Sequence, residues 1–173
     1  MIMPEERVEV ISEKRVATAV QLLIMVALAA LFPLFPLQQI TGPLVNALLF
    51  VATIMLGVRN ALLICFLPSI MAYSVGTLPF FMWPMIPVII LSNILLVLLF
   101  SKLQKKNYWL GVVVASFVKF VFIYSVATLL ASEFIKNPMF VKVAGLMMGY
   151  MQLVSAVVGG IIAWVFLKSI KRI

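Results

Sequence analysis

Apolar and polar positions separate along the chain into six apolar blocks divided by short polar or proline-containing stretches. Val16 to Phe35 is the first, ended by Pro33 and Pro36, followed by Pro43 to Gly57 and Asn60 to Leu78. Pro84 to Ser101, Tyr108 to Ala131 and Val141 to Leu167 complete the set. A hydrocarbon core of about 30 Å needs roughly 20 helical residues, with a range near 17–25. Blocks one, five and six meet this easily. The second is short, so a re-entrant segment packed inside protein is an alternative to a full span. A full span is favoured, with Gln38, Gln39 and Thr41 at headgroup level.

The breakers fall between the blocks. Gly57-Val58-Arg59-Asn60 reads as a tight turn, and Thr77 to Pro87 holds Pro79, Pro84 and Pro87. Ser101 to Asn107 is polar and basic, and Ser132 to Pro138 carries an Asn-Pro turn signal. Trp83 and Tyr108-Trp109 lie at block ends, where interfacial aromatic belts form. The predicted fold class is an all-α integral membrane protein. It is a compact bundle of six transmembrane helices in a single membrane domain, residues 1–173, with a polar cytoplasmic tail at 1–15.

Composition agrees with this. The chain is 65% apolar and 10% charged, with a mean hydropathy of +1.25. A soluble domain of this length cannot hide that much apolar surface. The net charge of +8 does not point to nucleic acid, because the thirteen basic residues are scattered between apolar blocks. Placing the N-terminus inside puts Arg7, Lys14, Arg15, Arg59, Lys102, Lys105, Lys106, Lys168, Lys171 and Arg172 on the cytoplasmic side. Only Lys136 and Lys142 lie on the other, which predicts cytoplasmic termini. Residues 1–14 carry four glutamates and no apolar run, so a cleavable signal is not expected.

Candidate chemistry is sparse. There is no histidine and one cysteine, Cys65, so haem, zinc and histidine-based nucleophilic catalysis lack their usual residues. No phosphate-cradling Gly-Lys-Ser/Thr loop is present. Outside the N-terminal tail the sole carboxylate is Glu133, in a loop, whereas proton-coupled transport commonly uses an intramembrane acid or histidine. No cofactor and no enzyme activity are expected, and binding is favoured over catalysis.

Lys119, nine residues or more from either end of block five, is the outstanding polar group. A lysine near mid-depth costs about 2.5–3.5 kcal/mol on insertion scales. It therefore either faces a cavity or partner, with Ser116 on a similar face, or snorkels to the interface. Asn93, beside Ser92, and Asn46 are mid-block amides suited to interhelical hydrogen bonds or to ligand. In block six, Gly145, Gly149, Gln152, Ala156, Gly160 and Ala163 share one face at small-residue spacing, with Gln152 its polar member. Tyr73, Tyr124 and Tyr150 either line an external cavity or pack at the interface. Counting along the helices puts Lys119, Asn93 and Gln152 at similar depth, which suggests one site for an anionic or strongly hydrogen-bonding ligand.

Several of these features together resemble the substrate-binding S component of energy-coupling factor (ECF) vitamin transporters. They are the proline-rich loop Pro33 to Pro43, and Leu56 to Ala61, similar to a Gly-x-Arg-x-(Gly/Ala) turn. Pro84 to Lys102 with Pro87 and Asn93, Lys119, and Gln152 followed by Ala156 and Gly159-Gly160 add to the likeness. The resemblance runs from Arg15 over nearly the whole chain. Many S components carry Ala-xxx-Ala in helix one; here Ala27, Ala29 and Ala30 are spaced differently. The resemblance implies a multi-pass protein of a prokaryotic cell membrane that binds a vitamin or related micronutrient from outside. Two ATPase subunits, acting through a transmembrane coupling subunit, would drive uptake. It implies docking near Ala27, Ala30, Gly57 and Arg59. Its substrate site would lie in the outer halves of helices four to six, with Lys119, Asn93, Gln152, Trp83, Tyr124 and Tyr150 as candidates. A stand-alone facilitator or channel, or a non-transporting subunit of a membrane complex, are the alternatives.

Overall fold

The computed structural model describes residues 4–135 and 138–173, with side chains described over 15–132 and 138–173. Glu133 to Lys136, expected to form an external loop, carries side chains outside the described residues. All the regular structure described is helical: α1 (Pro4–Leu31), α2 (Gln38–Met55), α3 (Val58–Ile64), α4 (Leu67–Ser74), α5 (Met85–Leu103), α6 (Tyr108–Leu129), α7 (Pro138–Met148) and α8 (Met151–Ser169). Among the described residues five helical stretches are long and apolar enough to cross a membrane: Arg15–Leu34, Gln38–Met55, Met85–Leu103, Tyr108–Ser132 and Pro138–Ser169.

Three blocks differ from the sequence expectation. The second is longer, because α2 begins at Gln38 and carries Pro43 inside its second turn. A proline so close to the start forfeits one backbone bond only, so it does not end the helix. At 18 residues α2 is long enough to span. The third block is not one helix: α3 and α4 meet at Cys65-Phe66, together a shorter apolar stretch, Val58–Ser74. Pro68 causes this, since it has no N–H for the Ile64 carbonyl and its ring crowds that turn. The sixth block breaks at Gly149-Tyr150, dividing the expected small-residue face between α7 and α8.

The centre of the bundle is α2, buried without interruption from Val45 to Thr53, and its most extensive packing is against α8. Small residues make that approach possible. A methyl group at Gly159 would stand 2.7 Å from Asn46 Cβ, 2.8 Å from the Pro43 carbonyl oxygen and 2.9 Å from the Ala47 nitrogen. The opposite flank is α5 against α6, with α6 also touching α8 and α7. At the turn between α2 and α3, Gly57 has φ +79°, a left-handed conformation that glycine adopts without a Cβ penalty. The outermost helix is α1: Met25 and Ala29 face the bundle, while Leu23, Ile24 and Leu31 are exposed. Of the proposed docking residues, Ala27 and Arg59 are exposed, and Ala30 and Gly57 half-buried.

Two apolar clusters fill the interior. Val97 and Phe100 of α5 join Val112 and Ala115 of α6 in the larger one. Met85 and Val88 join Ile123 and Ala127 in the other. Along both helices the buried residues between the clusters are polar: Ser92 and Asn93 on α5, Ser116 and Lys119 on α6. The core is therefore interrupted by one polar layer, and that layer floors the site.

Candidate functional site

Lys119 lies eleven residues into α6, about 16 Å along the helix at 1.5 Å per residue. Its side chain turns inward and is 3% exposed, so it does not reach along α6 to an interface. The ammonium donates to Asn46 Oδ1 of α2 at 2.6 Å and to Asn93 Oδ1 of α5 at 2.7 Å. Both amides are held with their oxygens toward the lysine by what their nitrogens do. Asn46 Nδ2 donates to the Gly42 carbonyl and to Ser155 Oγ of α8, each at 2.9 Å. Asn93 Nδ2 points to the Cys65 carbonyl at 3.5 Å, where the α3–α4 break occurs. One cation thus ties α6 to α2 and α5 and, through Ser155, to α8.

Two carbonyl dipoles solvate a charge but do not cancel it. Hydrogen bonds to a charged group contribute about 1.5–3 kcal/mol each, comparable with the cost of placing a lysine at mid-depth. The network therefore makes Lys119 tolerable in the fold without supplying a counter-charge. No aspartate or glutamate occurs between Arg15 and Ser132 or over residues 138–173.

Lys119, Asn93 and Asn46 floor an open cavity of about 120 Å³, room for a small organic group, since a cavity of about 150 Å³ holds benzene. Its walls come from Phe35 to Asn46, from α4 and the following turn at Thr77-Leu78, from Ile89 of α5, and from the α7–α8 junction. Gln152 belongs to it. At the junction the Met147 carbonyl accepts from Gln152 Nε2 and from Gln38 Nε2, both at 2.9 Å, so the break in the sixth block places two amides on the wall. Thr41 and Thr77 are anchored by carbonyls, Thr41 Oγ1 to Phe35 at 3.0 Å and Thr77 Oγ1 to Pro33 at 3.1 Å. These bonds hold the connection between α1 and α2 against the mouth.

Three aromatic candidates are not brought to this cavity. Trp83, Tyr124 and Tyr150 are 60%, 49% and 71% exposed, and none lines it. The reason is azimuth. Tyr124 follows Lys119 by five residues, about 140° around the helix, and it stacks on Phe120 at the outer surface. Trp83 points outward where its neighbour Met82 is fully buried. Ser69 of α4 is a lining residue that pattern reading passed over. Its only signal is a hydroxyl one residue after a helix-breaking proline. It is 3% exposed, and its Oγ has no hydrogen-bond partner among the described residues.

Among the described residues no group of three His, Cys, Asp or Glu side chains could hold a metal ion. What the arrangement can do is bind: a fixed positive charge at the floor, apolar walls including Leu78, Ile89 and Met148, and amides beside the mouth. No family model matches the chain, and neither a curated protein nor a solved structure is significantly similar to it, so function rests on the cavity itself.

Proposed function

We propose that this chain is the substrate-binding membrane subunit of an ECF-type importer, capturing a small water-soluble vitamin or related micronutrient. The observation that carries the reading is the cavity with a buried lysine as its floor, in a chain whose other Lys, Arg and Glu residues lie at or beyond the ends of the apolar blocks. A binding subunit needs such a site and needs no nucleotide or proton chemistry of its own. The resemblance in Leu56 to Ala61, Asn93, Lys119 and Gln152 supports the same reading. In this proposal α3 and α4 together make the sixth crossing, both termini are cytoplasmic, and the cavity mouth faces outside. The energy comes from two ATPase subunits through a transmembrane coupling subunit docked near Ala27, Ala30, Gly57 and Arg59.

The topology has a direct test. Reporter fusions within Ser101 to Asn107 and after Arg172 are expected to read cytoplasmic, and fusions within Glu133 to Lys136 external. An external reading at Ser101 to Asn107 would invert the bundle and close the cavity to the outside.

The energetics have another. Proteoliposomes containing this chain alone are expected to bind the substrate without accumulating it, and accumulation is expected once the coupling subunit and ATPases are added with ATP. Accumulation driven by a proton gradient without partners would replace the importer reading with a stand-alone transporter.

A further inference from the structure

Lys119 has no counter-charge among the described residues. Its two protein partners are amide oxygens, an ammonium has three donors, and no third acceptor engages it among the described residues. No other ionisable side chain lines the cavity. The one unpartnered hydroxyl on the same lining is Ser69 Oγ, buried to 3% exposure. A buried hydroxyl left unpaired is costly, as is a buried charge left uncompensated. The two line one cavity, open to a small molecule that could meet both.

We propose that the cavity selects a ligand bearing a single negative charge, a carboxylate, held by Lys119 Nζ and Ser69 Oγ, with its apolar body along Ile89, Leu78 and Met148. This rests on reading the cavity as the substrate site. The charge count sets the class. A phosphate monoester carries about −1.5 to −2 at neutral pH and would bury an excess negative charge beside one lysine. A neutral ligand would leave the ammonium as it is. A carboxylate brings one charge and several acceptor sites, enough for both donors. Asn46 and Asn93 are positioning residues here: they aim the ammonium and cannot neutralise it.

Acetate is a suitable probe, because it is small enough that steric exclusion from this cavity is no issue. The purified full chain in detergent is titrated with sodium acetate, acetamide or sodium malonate at constant ionic strength, and unfolding is followed thermally. A ligand that binds the folded state raises its stability in a saturable way. Acetate is expected to give a saturable shift, with acetamide and malonate binding at least about tenfold more weakly. The acetate shift is expected to vanish in Lys119→Met and to need several-fold more acetate in Ser69→Ala, a small change that leaves the helix backbone intact. Equal shifts with acetate and acetamide in the native protein would overturn the proposal, and that comparison needs no variant. So would the absence of a saturable acetate shift, or one unchanged in both variants. The transport reading is separable. Uptake that still needs the ATPases after a negative acetate result removes only the substrate class, and ATPase-independent uptake after a positive one removes only the importer.

Discussion

Lys119→Met is expected to weaken binding of the substrate at least tenfold, about 1.4 kcal/mol, while the protein still inserts and folds. Two opposed effects make the stability change small. Removing the lysine orphans Asn46 Oδ1 and Asn93 Oδ1, each a buried acceptor worth about 1–3 kcal/mol when left unpaired. It also removes a charge that costs about 2.5–3.5 kcal/mol at mid-depth, and methionine packs flexibly into the space. Binding has no such compensation, because no other cation lines the cavity. Native mass spectrometry of the purified protein identifies the co-purifying molecule, and calorimetry with that molecule gives the affinities. Unchanged affinity in a folded variant would mean that Lys119 only ties helices together, and the site would have to move toward the mouth.

Gly159→Leu is expected to destabilise the bundle by about 3 kcal/mol or more, whereas Gly145→Leu stays within about 1 kcal/mol of the native protein. Both are glycines of the sixth block, Gly145 on its small-residue face and Gly159 beside it at the Gly159-Gly160 pair, and sequence alone gives no reason to expect the larger loss at Gly159. The structure does. A Cβ at Gly159 meets the α2 backbone at Pro43 and Ala47, and α2 is held there by its burial from Val45 to Thr53. Overpacking of this kind costs about 1–3 kcal/mol and more when backbone must move. At Gly145 nothing lies within 4 Å, so a side chain enters open space and relieves the entropic penalty of glycine in a helix. Because Asn46 Cβ is the nearest atom to the added group, Gly159→Leu should also displace the amide that holds Lys119. Thermal unfolding in detergent checks both variants. Equal losses at the two positions would show that close packing is not confined to the α2–α8 contact.

What could be read from the chain alone was whatever depends on local sequence. The membrane class follows from unbroken apolar runs, because partition into hydrocarbon sums over neighbouring residues. Helix interiors and most breaks follow from glycine, proline and polar clusters for the same reason. The unusual status of Lys119 was legible because depth along a helix is a matter of counting. Counting also set Asn93 at its level, and the two are hydrogen-bonded, whereas Gln152, counted to the same depth, lies in the first turn of α8 on the wall.

The packing decided the rest, because direction around a helix and the identity of the neighbour are not local properties. Depth alone made Tyr124 and Tyr150 as plausible as Gln152, and only the bundle shows which of them points inward. Asn46 reads as one interhelical amide among several until α2 is placed at the centre, between α8 and α5, where its oxygen meets Lys119. Ser69 has no sequence signal beyond its neighbouring proline, and its unpaired hydroxyl exists only because α4 is turned toward the cavity. The breaks at Cys65-Phe66 and Gly149-Tyr150 look like minor faults in apolar blocks. In the fold they release the Cys65 and Met147 carbonyls to side-chain donors and shape the walls around a charge that none of the described residues neutralises.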